Sequence, residues 1–461
     1  MRLKTRPVWV LAVVSLSLSQ VSCAQSGKDR ATEIKSSKTA TIKLSAAVSE
    51  NAFPNQTVHI TDLRGAVRYA VEWHPRILQA AGRVRQQQEA INDARSGYLP
   101  SIGGGLNLGS ESGGASDWSP VLSVSATQMI YDFGKVSGRI SAETAVRDVR
   151  SAEFLTTVDE IIRETVLAAI EIKRNIDLNA VAKVQVADTK AVEALVTSRT
   201  DRGASTRSDK LQAEARVQAA QATEIELSGQ RARWETTIGS LTALSSLKGI
   251  SLDLPSSLYR SCGIEEPDWG AVPEVVVAEA YSREADARVG LARADMLPTV
   301  ALEARTEMGL FGKGDNTAYL VGLKVTGDLY NGGSYKARQR AANFAAQASE
   351  AGIASAKTNV MKAWAEARSQ TSSLEALRAS LSSRQGMLRE TVDLYKKQFL
   401  DLGTRNLLDV LNAVQELHAA RFDEINTKYD LFKLHVECAY SAGRLRDAFG
   451  YHSPTGPAPP V

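Results

Sequence analysis

The chain has 461 residues, of which 43% are apolar and 23% charged, so it can bury a large core and wholesale disorder is excluded. Only 6% are aromatic, and long stretches rich in Ala, Ser, Leu, Glu, Gln and Arg are typical of helices. The net charge is +3, and the three basic residues of the first 24 positions account for the whole excess. A balanced chain has no general attraction for nucleic acid.

The N-terminus has the pattern of an export signal. A basic segment without acids precedes an apolar run that is too short to cross a bilayer as a helix. The sequence predicts a signal peptide over 1–24, with cleavage after Ala24. Cys23 leaves a lipoprotein as an alternative, although Gln20 stands where an aliphatic residue is usual.

Residues 25–56 are polar and predict a flexible segment, and 451–461 predict a loose, proline-rich tail. The rest of the chain shows no catalytic Ser/His/Asp set, no phosphate-loop spacing and no pattern of metal ligands. We therefore expect no enzymatic activity, no cofactor and no metal site. Three cysteines allow at most one disulfide and imply none.

The chain contains an internal duplication with a nearly constant offset of 198 to 200 residues. The matches are Arg95–Pro100 with Arg293–Pro298, Ile130–Gly134 with Leu329–Gly333, and Gly203, Asp209 and Leu211 with Gly403, Asp409 and Leu411. An offset this long indicates a duplicated half-molecule rather than a solenoid. The predicted repeats are 57–250 and 272–450, joined by a linker over 251–271.

Each half predicts the same order of elements. A helix, over about 62–97 and again over 272–295, ends at a Leu-Pro pair, and two short alternating segments follow. A glycine turn then opens a helix of about 65 residues, over about 135–200 and 334–399. A second long helix returns after Gly203 or Gly403 and runs to about 247 or 447. A helix of about 65 residues is about 100 Å long and must pack along its length. On the last one, apolar residues spaced by three and four form a coiled-coil stripe, in which we interpret His418 as a packed side chain.

Four segments of about ten residues alternate in polarity, as β-strands do. In the second half, one places Glu303, Arg305 and Glu307 on a single face, and the next places Lys324 and Asp328 opposite its apolar side chains. Ten residues is the length of a tilted transmembrane strand. A soluble hairpin with one wet face is the alternative. The export signal and the charged face favour strands that line a water-filled pore.

Four strands cannot close a barrel, and an open sheet edge in lipid leaves backbone groups unsatisfied. Other copies of the chain must therefore complete the sheet. Three copies would give twelve strands, an even number within the known range.

The sequence resembles the TolC-type outer-membrane channel proteins. The stretch Gln398–Asn412, which reads Gln-Phe-Leu-Asp-Leu-Gly-Thr-Arg-Asn-Leu-Leu-Asp-Val-Leu-Asn, closely resembles the second-half tip signature of that family. Gly203–Asp209 with Ala213–Arg216 resembles the first-half tip, and Leu329–Gly333 resembles the junction from strand to helix. The resemblance covers about residues 60–447.

The resemblance implies a mainly α protein with a small β part that works as a homotrimer. Its strands would form a 12-stranded barrel in contact with outer-membrane lipid, and its duplicated antiparallel coiled coils would form an α-barrel in the periplasm. The hairpin tips, at Gly203, Gly403 and Thr404, would dock a periplasmic membrane-fusion adaptor.

The resemblance also implies roles for residues near the tips. Asp409 would project a ring of three carboxylates into the periplasmic entrance, and the family's second acid is replaced here by Asn412. Arg405 matches a position that holds the coiled coil shut, with Ser208 and Asp209 as its candidate partners. Leu400 stands where the family often has a tyrosine of this latch.

Two uses of such a channel compete. The tip sequences resemble more closely the branch that serves type I secretion, in which an inner-membrane ABC exporter sends out a large protein such as an adhesin or repeat toxin. The alternative is small-molecule efflux with a proton-driven pump. A periplasmic coiled-coil scaffold or adaptor is a more remote alternative.

Overall fold

The computed structural model describes residues 62–109, 119–243, 251–309 and 317–451. The predicted signal peptide with Cys23, the segment 25–56, the loops within the two strand pairs and the tail after Tyr451 lie outside the described residues. The elements are α1 (Leu63–Trp73), α2 (Pro75–Ser96), β1 (Ser101–Gly109), β2 (Ser119–Tyr131), α3 (Lys135–Asp201), α4 (Arg207–Thr242), α5 (Ser256–Arg260), α6 (Pro273–Ala294), β3 (Thr299–Gly309), β4 (Thr317–Thr326), α7 (Ser334–Lys397), α8 (Leu407–Ser441) and α9 (Leu445–Ala448), with a π-helical turn at Gln398–Leu402.

Two helix boundaries differ from the sequence-based expectation. The helix predicted over 62–97 is divided into α1 and α2, because Pro75 begins a new helix that is capped by the His74 side chain. The helix predicted to run to about 447 ends at Ser441. Gly443 then adopts a left-handed conformation with its backbone against Ala271, where a β-carbon would approach to 2.6 Å.

The long helices α3 and α7 have 67 and 64 residues and begin in the same way. Each follows a left-handed glycine, Gly134 with φ of 92° or Gly333 with φ of 80°. In the first half the buried Asp132 carboxylate accepts hydrogen bonds from the Gly134 and Val136 amides. This cap satisfies amides that the first turn of a helix leaves unpaired, so the start of α3 is fixed.

The two halves pack side by side. In one part of the molecule α3 packs against both α4 and α8, and α8 packs against α7. In the other part α6 lies between α3 and α7, with α2 on the opposite side of α3. The largest buried cluster lies where α1 meets the middle of α3 and the second half of α8, and it includes Val67, Ile162 and Tyr429. No helix within the described ranges is both long and apolar enough to cross a membrane.

The strands form one antiparallel sheet in the order β1-β2-β3-β4. The central pairing joins β2 of the first half to β3 of the second, with Val124 opposite Thr306. Apolar side chains share one face of all four strands and are exposed on the single chain: Ile102, Leu106, Leu108, Leu122, Val124, Leu302, Met308, Tyr319, Val321, Leu323 and Val325. The edges of the sheet are β1 and β4.

The segment between the repeats is fastened to the last helices. A disulfide joins Cys262 to the buried Cys438 of α8, so the one bridge that three cysteines allow is formed. Arg446 of α9 makes a buried ion pair of 2.9 Å with Asp159 of α3 and donates to the Ala271 carbonyl. Burial raises the pKa of Asp159 to about 7, and the Arg446 charge acts in the opposite direction.

The disulfide closes a loop with a sequence separation of 176 residues, so its removal should be costly. We expect the double variant Cys262→Ser/Cys438→Ser to lose about 2–5 kcal/mol of unfolding free energy, because the unfolded chain gains freedom. Chemical unfolding in detergent, with and without a reductant, checks this. A reductant should bring the wild type to the stability of the variant and leave the variant unchanged. Equal stabilities under oxidising conditions would contradict the expectation.

Candidate functional site

The first hairpin tip is a short turn between α3 and α4. Gly203 adopts φ of 73°, and the Ala204 amide donates to the Arg199 carbonyl across the end of α3. No atom lies within 4 Å of a β-carbon built at Gly203, so the turn needs glycine for its backbone conformation rather than for space. Thr206 and Asp209 then form a capping box that starts α4.

The second tip differs from the first by one residue. The glycines that begin the long helices, Gly134 and Gly333, are 199 apart, whereas the tip glycines Gly203 and Gly403 are 200 apart. The extra residue is taken up by the π-helical turn Gln398–Leu402, the usual way in which a helix accommodates one additional residue. The Thr404 amide closes this turn by donating to the Gln398 carbonyl at 3.2 Å.

Asp409 lies in the first turn of α8, just beyond this tip. The Asn406 side chain accepts from the Asp409 amide at 2.8 Å and caps the helix. The Asp409 carboxylate is half-buried and lies 3.6 Å from a terminal guanidinium nitrogen of Arg405. Asn412 is exposed one turn further along. The chain thus holds Asp409 in a fixed position, and its place in a ring stays a prediction.

Arg405 contacts its own hairpin. Its guanidinium carbon lies 4.4 Å from the centre of the Tyr395 ring, and its Nε donates to Gln398. Within the described residues of one chain, Arg405 makes no hydrogen bond or ion pair with Ser208 or Asp209. Ser208 is exposed on α4, and the Asp209 carboxylate accepts from the Thr206 amide. The predicted pairing is therefore untested by the single chain.

A contact between the two tips involves residues that the sequence analysis did not single out. Arg199, near the end of α3, has its guanidinium carbon 4.7 Å from the centre of the Phe399 ring. Its Nη1 also donates to the Phe399 carbonyl at 3.3 Å. Phe399 is buried in a cluster with Val196, Leu407 and Leu411 that spans both hairpins. The duplication aligns positions 199 and 399, but no local pattern shows that they touch.

Polar and charged pairs join α3 to α8 along their length, which we call the α3–α8 seam. Arg163 binds Glu437 at 2.7 Å, and Lys433 binds Glu171 at 2.8 Å. Further pairs follow toward the tips: Arg174 with Asp430, Tyr429 with Asp177, and His418 with Asp188. Because α3 and α8 belong to different halves, the seam holds the two hairpins together.

His418 is fully buried in this seam, and its Nε2 lies 2.9 Å from the Asp188 carboxylate. Burial lowers the pKa of His418, which favours the neutral ring, while Asp188 acts in the opposite direction. A neutral ring with its proton on Nε2 donates to Asp188 and leaves only an acceptor, Nδ1, without a partner. The interpretation of His418 as a packed side chain agrees with this arrangement.

The charged residues predicted on the strands also share a face. Glu303, Arg305 and Glu307 on β3 and Lys324 on β4 lie on the side of the sheet opposite the exposed apolar side chains. Asp328 follows the end of β4 and accepts from the Tyr335 hydroxyl instead. In the ranges described, no group of three or more His, Cys, Asp or Glu side chains is arranged to hold a metal ion.

Two long helical hairpins continued by four antiparallel strands define a class of outer-membrane channel protein. The sequence pattern of the outer membrane efflux protein family matches residues 67–243 and 271–433, one match in each half. The chain belongs to this family. Its place is the outer membrane, with the helical part in the periplasm.

Individual relatives are distant. The chain is 23% identical to the outer membrane efflux protein BepC of Brucella suis biovar 1 (strain 1330) over 401 residues, which cover 83% of this chain and 85% of BepC. It is 26% identical to the alkaline protease secretion protein AprF of Pseudomonas aeruginosa over 276 residues, 54% of each chain.

Solved structures show the same fold at low identity. CusC matches with a TM-score of 0.73 and 16% identity over 86% of this chain and 95% of its own. The outer membrane protein VceC of Vibrio cholerae matches with a TM-score of 0.72 and 17% identity, over 83% and 96%. The resemblance to TolC-type channels that the sequence predicts is confirmed.

We expect the Arg199–Phe399 contact to stabilise the paired tips by about 1 kcal/mol. Arg199→Met should then make tip amides near Gly203 and Gly403 exchange about five-fold faster in hydrogen-exchange mass spectrometry. Arg202→Met is the matched control, because the Arg202 side chain bonds only to Ser198 among the residues that the structure describes. Equal exchange in the two variants would contradict a tip-to-tip role for Arg199.

The neutral, buried state of His418 predicts an acid-sensitive seam. The unfolded chain binds a proton near pH 6.5, but the folded chain binds it only at lower pH, where protonation puts a charge beside Arg421 and Lys396. The contribution of the neutral His418 ring to the free energy of unfolding is therefore complete above pH 6.5, and it is lost as the pH falls below that value.

We expect Tm to fall more between pH 7.5 and 5.5 in the wild type than in His418→Gln. Burial also lowers the pKa of His435 and His74, and these residues are present in both proteins, so the difference isolates His418. If Tm falls by the same amount in the wild type and in His418→Gln, His418 does not titrate in this way.

Proposed function

We propose that three copies of this chain form a channel that carries cargo from an inner-membrane transporter and a periplasmic adaptor across the outer membrane. The observation that carries the proposal is the open sheet. Its edges, β1 and β4, lie at the two ends of a four-stranded order, and one of its faces exposes apolar side chains to the surroundings. In lipid such edges must pair with other chains, and twelve strands from three copies satisfy every edge.

The helical part supports the same assembly. One chain supplies the helices in the lateral order α4, α3, α8 and α7, with α4 and α7 on the outside. Side chains such as Leu377, Met387 and Leu394 on α7 and Ile225 on α4 are apolar and exposed on the single chain. Contact between α7 of one copy and α4 of the next would cover them and close an α-barrel that continues the strand pore.

At the tips we propose the roles that the family resemblance implies. The turns at Gly203, Gly403 and Thr404 dock the adaptor, and Asp409 forms a ring of three carboxylates at the entrance. Arg405 pairs with Ser208 and Asp209 when the subunits assemble, which closes the entrance. Because Asn412 replaces the second acid, the ring at Asp409 carries the whole charge of this constriction.

We favour type I secretion of a large protein, with an ABC exporter as the inner-membrane partner. The tip sequences Gly203–Arg216 and Arg405–Asp409 support this use, and AprF is named as a secretion protein. The second candidate is small-molecule efflux with a proton-driven pump, which is supported by the name of BepC and by its longer match.

The deciding experiment compares the secreted and surface proteins of a deletion strain, its parent and a complemented strain by mass spectrometry. Type I secretion predicts the loss of one large protein, which complementation restores. An unchanged set of proteins together with accumulation of dyes in the deletion strain would favour efflux instead. Failure of the purified protein to form pores in planar bilayers would contradict both uses and would favour a periplasmic scaffold.

If Asp409 forms the entrance ring, two substitutions should change the cation selectivity of the pore in opposite directions. Asp409→Ala should lower the preference of the pore for cations, because a carboxylate ring concentrates cations in a narrow passage. Asn412→Asp adds a second ring and should raise that preference. Reversal potentials across a salt gradient in planar bilayers check both. If neither variant changes selectivity, these side chains do not face the passage.

A further inference from the structure

The charged side chains on β3 and β4 form one connected row. The strand register places Lys324 opposite Ala301 and Glu303 opposite Gly322, so that Lys324 and Glu303 are diagonal neighbours. The Lys324 Nζ lies 3.1 Å from the Glu303 carboxylate. Diagonal pairs of opposite charge stabilise adjacent strands when the side chains are long enough to meet.

The row continues along β3. The Arg305 guanidinium lies 3.7 Å from Glu303 and 3.8 Å from Glu307, so the charges alternate in the order Lys324, Glu303, Arg305, Glu307. The Glu303 side chain is only 13% exposed, whereas those of Arg305, Glu307 and Lys324 are 47–54% exposed. The two bases cover Glu303, and it is the centre of the row.

No other Asp, Glu, Lys or Arg occurs in the four strands as they are described. Across from the row, β2 presents the small side chains of Ser123, Ser125 and Thr127 on the same face. The next strand, β1, presents Gly103 and Gly105 opposite these serines. The charged face of one chain therefore contains two acids and two bases, and small neighbours leave room for their long side chains.

We propose that this row makes the strand pore electrically neutral, so that neither sign of charge on a passing ion or cargo is favoured there. The inference rests on the proposed function, in which this face lines the pore. Its specificity-determining pair is Glu303 and Lys324. Loss of the Lys324 charge leaves three uncompensated acids in a trimer, and loss of the Glu303 charge leaves three uncompensated bases.

The test measures reversal potentials of the purified full-length protein in planar bilayers across a KCl gradient. Relative to the wild type, Lys324→Gln should shift the permeability ratio toward K⁺ and Glu303→Gln should shift it toward Cl⁻, each by about two-fold or more. The double variant Glu303→Gln/Lys324→Gln is the matched control and should return to the wild-type ratio. Both single-variant shifts should shrink near 1 M KCl, where the screening length is about 3 Å.

A merely structural role for the pair would not give shifts of opposite sign that cancel in the double variant. If the wild type conducts and both single variants keep its selectivity, or move in the same direction, the neutral row is wrong and the channel function stands. If the wild type forms no conducting pores at all, the channel function fails and this inference fails with it.

Discussion

The pairing between the two halves of the chain is the constraint on which the rest of the structure depends. The two strands of either half would not form a stable sheet without the other half, because a two-stranded ribbon is at best marginally stable alone. Joining β2 to β3 makes one sheet, and the α3–α8 seam makes the same connection between the helical hairpins. The chain therefore forms one continuous sheet, with β1 and β4 as its edges, and one continuous set of packed helices.

The two halves of the duplication differ at their hairpin tips. One extra residue in the second half becomes a π-helical turn beside the tip, and this turn carries Phe399 to Arg199 of the first half. In a regular α-helix one extra residue would rotate the residues that follow by about 100°, and the π-helical turn absorbs the extra residue locally instead. The first tip has no such turn, and α3 ends at Asp201, two residues before Gly203. The two tips therefore present different surfaces, although they derive from the same repeat.

Charge has two separate uses in this chain. In the helical part, ion pairs such as Arg163–Glu437 are partly buried and connect elements that are far apart in sequence. On the strands, the row around Glu303 lies within one hairpin and adds little to connecting the halves. The row on the strands is exposed on one face and screened by water, so its contribution to stability is small, and its two acids and two bases sum to zero charge.

The sequence by itself determined the fold class, the order of elements in each half and the face of each strand, because helical and strand periodicities and turn glycines act locally. It also located the tip residues Gly203, Gly403 and Asp409 through the duplication. It did not show the break at Pro75, the end of α8 at Ser441, or the bridge between Cys262 and Cys438.

The disulfide, the Arg199–Phe399 contact and the pairing of His418 with Asp188 were decided only by tertiary structure, whereas the break at Pro75 follows from the proline and its neighbour His74. In each pair the partners are more than 170 residues apart, and they meet only because α8 and the second tip pack against α3 and against the segment that precedes α6. A repeat in the sequence determines the order of helices and strands within each half, but not which side chains of one half contact those of the other.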